Sequence, residues 1–479
     1  MIKPASKSAV ELFMQGSIAY SKMEHQGIKI DVDYLEFALA GTDEDIKRLE
    51  AQLKEDEVFK IWKKRFGAKT VIGSKKQLET IVFEECKLAK RTGRLTDSGA
   101  YKSDEFAFEW VDHPFVRKYF ECEKLKKARG TYLLGIKNEL CGDGYIHPFH
   151  NLHTATTYRP SSDRPNVKNI PVRNEMMGRI IRSCYIAPKG FQILEIDLSG
   201  AEVAWSCVSH KDPVMIHYVE DPKSDMHRDI ASQVYMIKNA PKEYWKEGIG
   251  KLVRYSAKNK MVFPEFYGSY FLDCAQNLWE AIDLMKLKSP EGISLKKHLK
   301  SKGIKELGDI ASLKGQSGRI ETEEGTFVHH VKEVEKDMWE NRFKVYKQWK
   351  WDFWTKYCER GYCRTKTGFV ISGLIDRKQV CNGGIQGDAY HHVLWSLIQL
   401  QNWLEQEKMK SRIFNEIYDS ILLYVKTSEI PDVLQKAKQI MTLDVRDHWS
   451  CINVPITIDA ELAPEGKSWA DKKKVDIPT

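Results

Sequence analysis

The chain has 479 residues, 42% hydrophobic and 30% charged, a globular balance with length for a large core divided into two or three subdomains. A net charge of +8 leans only modestly toward polyanions, and ten cysteines without paired spacing argue against a disulfide framework or a zinc site. No apolar stretch reaches bilayer length and Met1-Ile2-Lys3-Pro4-Ala5-Ser6 has no signal-peptide core, so a cytoplasmic protein with no membrane partner is expected.

The first 66 residues read as helices around one short strand. Gly27 stops the first helix, Ile28-Lys29-Ile30 is the strand, and Asp31 or Asp33 opens the next helix, where Ile46, Leu49 and Leu53 recur at helical spacing. Ser74-Lys75-Lys76-Gln77 has the capping-box pattern ahead of Leu78, Ile81 and Val82. A long basic helix runs from near Pro114 past Leu134, carrying Arg117, Lys118, Lys124, Lys126, Lys127, Arg129 and Lys137 against Glu121 and Glu123. Loop, strand and the opening of a helix span 151–208, and 225–285 is mostly helical. A Lys- and Gly-rich segment follows over 285–334, including Gly315-Gln316-Ser317-Gly318 and Gly325. Then Trp339, Phe343, Tyr346, Phe353 and Tyr357 lie on or near a helical period, a stripe expected to pack in a core. The last hundred residues alternate helix and strand, ending in Val454-Pro455-Ile456-Thr457-Ile458-Asp459 and Trp469.

Two aspartates sit in apolar runs. Asp197 closes Phe191-Gln192-Ile193-Leu194-Glu195-Ile196-Asp197, and Asp419 lies in Ile417-Tyr418-Asp419-Ser420-Ile421-Leu422-Leu423-Tyr424-Val425. A carboxylate in such a run is costly unless its charge is offset, and a divalent cation can offset it; a strand end or hairpin turn is the plainer alternative. Two carboxylates converging on two Mg²⁺ ions is a layout that moves phosphoryl groups. Arg254 and Lys258, four apart, share a helix face and can meet a triphosphate together.

Further stretches keep them company. Thr157-Tyr158-Arg159-Pro160 leads to Pro165-Asn166-Val167-Lys168-Asn169-Ile170-Pro171-Val172-Arg173. Asp197-Leu198-Ser199-Gly200-Ala201-Glu202 precedes Asp225-Met226-His227-Arg228, and Arg254-Tyr255-Ser256-Ala257-Lys258 precedes Phe263 and Tyr267-Gly268. Asn382-Gly383-Gly384-Ile385-Gln386-Gly387 and Tyr418-Asp419-Ser420 come last. In this order the set resembles the family A DNA polymerases, the bacterial DNA polymerase I class, from about Met23 to Trp469.

That resemblance implies an α+β right-hand fold, an antiparallel palm sheet with helical fingers and thumb. Residues 1–66 would form the N-terminal palm/thumb base, 67–140 the thumb, and 141–204 the palm with the first metal aspartate. Residues 205–370 would be the fingers, with an insertion at 285–334, and 371–479 the palm with the second. The implied activity is DNA-templated extension of a primer 3′-OH with dNTPs, on two Mg²⁺ ions for which Mn²⁺ can substitute. Asp197, Asp419 and the backbone carbonyl of Leu198 would hold the metals. Arg254 would take the γ-phosphate and His227 the β-phosphate, while Lys258 would neutralise the α/β region and protonate the leaving pyrophosphate. Phe263 and Tyr267 would flank the incoming base pair, and Glu202 would exclude a 2′-hydroxyl. Arg159, Asn382 and Gln386 would sense the minor groove of the primer–template, Tyr418 the primer end, and Lys124 and Lys127 the duplex phosphates.

The departures are specific. Phe263 and Tyr267 stand five and nine residues after Lys258, against four and eight in the family, with Pro264 between them; a one-residue bulge is expected. Tyr418 and Ser420 replace a histidine and a glutamate, so Ser420 cannot supply a second carboxylate, and Glu195 and Glu416 are the candidates to compensate. Gly200 and Ala204 replace bulkier polar residues. About 66 residues precede the thumb-like region, too few for the family's proofreading exonuclease. A compact phage-type enzyme in a host bacterial cytoplasm is expected, with any exonuclease or processivity factor on separate chains. The competing readings are a single-subunit RNA polymerase relative, against which Glu202 stands, and an inactive DNA-binding accessory.

Overall fold

The computed structural model describes residues 3–89, 108, 111–155, 157–171, 175–314, 316 and 320–478. Val172 and Arg173 of the proline-flanked motif, and Gly315, Ser317 and Gly318 of the 285–334 segment, lie outside the described residues. The described strands are β1 (Lys3–Pro4), β2 (Ile28–Lys29), β3 (Tyr145–Ile146), β4 (Phe149–Asn151), β5 (Ser161–Asp163) and β6 (Phe191–Ser199). Then come β7 (Tyr362–Arg364), β8 (Phe369–Ser372), β9 (Arg412–Ile417), β10 (Ser420–Lys426), β11 (Thr457–Leu462) and β12 (Lys473–Val475).

One antiparallel sheet, in the order β12-β11-β6-β10-β9, organises the molecule, as the α+β expectation required. Strand periodicity divides its two faces. Leu194, Ile196 and Leu198 of β6 join Ile421, Leu423 and Val425 of β10 in the main core. The opposite face of β6 carries Glu195, Asp197 and Ser199. A slip of one residue would bury the acids and expose the aliphatics, so the pattern fixes the register. In that register Ser420 and Asp459 lie opposite Asp197, one on each side.

The 30-residue helix Arg377–Gln406 packs against β9 and β10; Asp376 and Gln379 close it with a reciprocal capping box. Most of its length is buried, including Tyr390, Val393, Leu394 and Leu397. No described helix is long and apolar enough to cross a membrane.

Gly27 ends the first helix at φ 67°, and Asp31 caps Val32–Glu55 by accepting from the Tyr34 N–H at 2.9 Å. Ser74 caps its helix, but Gln77 does not return the bond. Its Oε1 accepts from the buried Trp62 indole and from Val71 N–H, each at 2.9 Å, so the indole's need for an acceptor overrides the capping box. Pro114–Lys127 continues through a widened turn, Ala128–Leu133, into Leu134–Asn138, the long helix anticipated from the charge run. Leu49, Leu53 and Trp62 pack with Phe115, Tyr119 and Leu125 in a separate apolar cluster.

The 285–334 segment folds onto its neighbours. Leu295, Leu299, Phe327 and Val331 enter the main core. His298 and His330 meet the carbonyls of Met236 and Gln233 at 3.2 and 3.1 Å, bracing the helix Met226–Val234 that bears His227. Of the aromatic stripe, Phe343, Tyr346 and Tyr357 are buried.

Nearby, Glu265 is 2% exposed beside Glu335, and accepts from Trp339 Nε1 at 3.0 Å. Burial, then the Glu335 charge, push the Glu265 carboxyl up to about 9. A carboxyl raised above its unfolded value of 4.5 contributes stability that is full below that value and is lost as pH climbs through about 9. The melting temperature of Glu265→Gln is therefore expected to gain on wild type between about pH 5 and 9, by at least about 3 °C, and then level off. A difference independent of pH in thermal melts would contradict the raised Glu265 carboxyl.

Candidate active site

Asp197 sits near the end of β6, and Asp419 is the second residue of the two-residue turn joining β9 to β10. Tyr418, the first, takes the left-handed φ of 58° that such tight hairpins require. Leu198 N–H donates to the Asp419 carbonyl at 2.9 Å, which ties the turn to β6, and Ser420 Oγ donates to Asp197 Oδ1 at 2.9 Å. Burial, then the charge of Asp419, hold the Asp197 carboxyl up at about 7. Burial also raises Asp419, against the pull of Arg159. Neighbouring carboxylates of this kind, Asp197 half-buried and Asp419 more open at the turn, are stabilised by a bound cation, and the pair fits a divalent metal. Both line a cleft of about 1690 Å³ together with Ser420, Tyr418, Phe263, Tyr267, Lys124 and Lys127.

Arg159 meets the same turn from the side. Its guanidinium pairs with Glu202, in the first turn of Ala201–His210, and lies 5.4 Å from the centre of the Tyr418 ring. Tyr418 Oη donates to Asn169 Oδ1 at 2.9 Å. One residue earlier, Lys168 Nζ donates to Glu416 Oε2 at 2.7 Å and to the Glu416 carbonyl at 2.8 Å, with side chains 1% and 0% exposed. Tyr20 Oη also donates to Glu416, and Tyr390 Oη lies 2.5 Å from Tyr20 Oη.

Across the cleft, Gly248–Ala257 leads into Lys258–Val262, where the turn widens and Phe263 N–H reaches back to the Lys258 carbonyl. The bulge expected from the extra residue falls there, directly ahead of Pro264, whose ring would clash with a regular turn. Phe263 and Tyr267 follow with ring centres 6.1 Å apart. Lys258 Nζ is 5.2 Å from the Phe263 ring, and His227 packs edge-on to it at 5.7 Å. Arg254 Nε donates to Asp225 Oδ2 at 2.6 Å, while Asp225 Oδ1 caps the His227 helix through Arg228 N–H. Burial, then Lys258 and Arg254, drive the His227 imidazole down to about 3, so it is neutral, and its buried Nδ1 has no hydrogen-bond partner among the described residues. Burial and Arg254 also lower Lys258. Asn382 Nδ2 donates to the Tyr267 carbonyl at 3.2 Å, and Gln386, four residues on, shares that helix face.

The basic helix divides its charges. Lys124 and Lys127 line the cleft, whereas Arg117, Lys126, Arg129 and Lys137 pair with Asp112, Glu50, Asp43 and Glu36. Much of the charge run is therefore tied up in ion pairs within the fold, and two of its lysines line the cleft.

Residues 40–280, just over half of the chain, match the sequence profile of DNA polymerase family A. The chain belongs to this family. It is 25% identical over 470 residues to DNA polymerase I of Bacillus subtilis, covering 97% of this chain and 46% of that one. With DNA polymerase I of Lactococcus lactis subsp. cremoris it shares 25% over 455 residues, 95% of this chain and 44% of the other. With the DNA polymerase of Escherichia phage T5 the figures are 28% over 281 residues, 57% and 32%. The chain thus spans less than half the length of these curated relatives. Its fold matches the POL domain of Pol1 from M. smegmatis, solved in complex with DNA primer-template and dNTP, at a TM-score of 0.69 and 21% identity, over 96% of this chain and 70% of that one.

In this family A chain the question of a further carboxylate has a geometric answer. Among the described residues no three His, Cys, Asp or Glu side chains are grouped to hold a metal. Glu195 lines the cleft but is held by Trp469 Nε1 at 2.7 Å and Lys472 Nζ at 2.5 Å, and Glu416 is turned into the core. Both carboxylates are thus already engaged by cations of the fold. Two residues that sequence reasoning passed over matter here. Asp459 faces Asp197 across the β6–β11 pairing, held by Ser199 Oγ at 2.7 Å, and its alternating run was the only available signal. Lys168 looked like one more polar residue of a loop motif.

Proposed function

We propose that the chain is a DNA-templated DNA polymerase that extends a primer 3′-OH with dNTPs. The observation that carries this reading is the meeting of Asp197 and Asp419 on one cleft floor, facing the Phe263–Tyr267 helix. Asp197, Asp419 and the Leu198 carbonyl would hold two Mg²⁺ ions, which when bound acidify the primer hydroxyl and neutralise the triphosphate. The chain's own groups do the rest. Asp225 orients Arg254 toward the γ-phosphate. Neutral His227 offers its unpartnered Nδ1 to the β-phosphate, and Lys258, its proton loosened by burial, gives that proton to the departing pyrophosphate. Phe263 and Tyr267 flank the new base pair, and Glu202, pinned by Arg159, closes the space a 2′-hydroxyl needs. Arg159, Asn382 and Gln386 test pair geometry from the minor groove, where acceptors are alike for correct pairs. Lys124 and Lys127 hold duplex phosphates. The 479 residues themselves are proposed to carry no proofreading activity; Mg²⁺-dependent degradation of a 3′-labelled single strand by the purified chain would overturn that.

Primer extension with dNTPs or NTPs tests the reading. Wild type is expected to add deoxynucleotides, Glu202→Ala to gain ribonucleotide incorporation by about 100-fold, and Phe263→Ala and Tyr267→Ala each to raise the dNTP KM at least about tenfold. Efficient ribonucleotide extension by wild type would favour an RNA polymerase. Primer–template binding without extension at any Mg²⁺ or Mn²⁺ concentration would favour an inert accessory.

A further inference from the structure

A second cleft, of about 470 Å³, opens beside the Lys344–Arg360 helix and the β7–β8 hairpin, with Gly384 and Asp388 at its base. Lys356, Arg360, Arg364 and Lys366 line it, all four exposed, and none has a carboxylate partner among the described residues. The single acid in the lining, Asp388, is 1% exposed and already accepts from Lys366 N–H and Thr367 N–H at 2.9 Å and from Thr367 Oγ1 at 2.6 Å. It neutralises none of the four side chains. The thumb-like helix shows the contrast: there Arg117, Lys126, Arg129 and Lys137 each meet an acid. Four like charges around one concavity repel each other unless a polyanion fills it.

Aromatic surface accompanies the charge. Trp349 and Phe353 are one helical turn apart with rings stacked at 4.9 Å and 19°, both half-buried along the cleft, and Tyr362 is 38% exposed at its rim. Along the helix, Trp349, Phe353, Lys356 and Arg360 fall on one stripe, two rings followed by two cations. Cations alone would suit an acidic peptide as well as a nucleic acid. Partly exposed ring surface beside them, with Tyr362 at the rim, matches a strand that carries both phosphates and unstacked bases.

The place in the fold narrows the strand. Gly384 and Asp388 lie on the opposite face of the Arg377–Gln406 helix from Asn382 and Gln386, about 10 Å away across one helix. Around the N-terminal end of that helix, Arg377 and Lys378 line a smaller pocket with Tyr267, Asn382, Lys347 and Lys350, and with Glu265 and Glu335 on its inner side, so Arg377 and Lys378 stand between the active-site side and the Lys344–Arg360 helix. We propose that this cleft binds the unpaired template strand ahead of the primer end. The identity of the strand rests on the polymerase reading above; the affinity of the cleft for single-stranded DNA does not.

The test uses the full chain, the double variants Lys356→Gln/Arg360→Gln and Arg364→Gln/Lys366→Gln, and fluorescein-labelled hairpin primer–templates in anisotropy titrations. The template 5′ extension is about 2 or about 15 nucleotides, spanning the site sizes of single-strand grooves. Wild type is expected to bind the long extension at least about tenfold more tightly, with a steeper salt dependence. Each double variant is expected to lose most of that increment while adding one nucleotide to the short substrate within about twofold of wild type. An unchanged increment in both variants overturns the proposal. So does an increment that follows a displaced non-template strand instead, or competition by polyglutamate equal to that by oligo-dT. If wild type binds as expected but extends neither substrate, the polymerase reading fails and the cleft's single-strand affinity stands apart from it.

Discussion

Asp419→Asn and Asp197→Asn are each expected to lose primer extension by at least about 10³-fold, with primer–template affinity within about threefold of wild type. Asparagine keeps the shape, and at position 197 its Oδ1 still accepts from Ser420, so the hairpin junction survives while one charge is removed. Two carboxylates side by side repel without a cation, so in chelator each variant is expected to melt no lower than wild type. Calorimetric titration with Mn²⁺ should show binding to wild type that weakens sharply in either variant. Extension retained at a tenth of the wild-type rate, in either variant, would end the two-carboxylate account.

The largest stability effect is expected at Lys168. Lys168→Met leaves Glu416 charged and fully buried, and losing one partner of such a pair costs about 3–5 kcal/mol. Lys168→Gln/Glu416→Gln replaces the ions by a neutral amide pair and keeps an acceptor for Tyr20, so chemical denaturation should show most of the loss recovered. Because Glu416 stands three residues before Asp419, Lys168→Met is also expected to raise the Mg²⁺ concentration needed for half-maximal extension, and the double variant to restore it. A single variant as costly as the double would show that the two side chains do not act together.

The site carboxylates were legible because a charge in an apolar run breaks a simple rule, and β6 obeys period-two patterning closely enough to set its faces. The junction between them was not legible. It depends on a Tyr418–Asp419 turn with no glycine or asparagine to announce it, and on pairing between segments more than two hundred residues apart. Asp459 shows the same limit, since an acid alternating with aliphatics in a strand is ordinary until the register puts it opposite Asp197. Lys168 read as a polar loop residue and Glu416 as a candidate to replace a missing carboxylate; only the packing of a loop onto β9 made them a buried pair. Gln77 went to the Trp62 indole because tertiary burial outweighed a local cap.

The widened turn at Lys258–Val262 has a consequence for how such chains are compared. Counting residues from Lys258 to Tyr267 suggests that the aromatic side chains have rotated by about 100° around the axis, one residue's worth of helix. Local unwinding takes up that rotation within a single turn, and Tyr255, Asn259, Phe263 and Tyr267 all line the cleft. Angular position about the axis, rather than ordinal distance along the polymer, thus sets where the two rings stand on this helix.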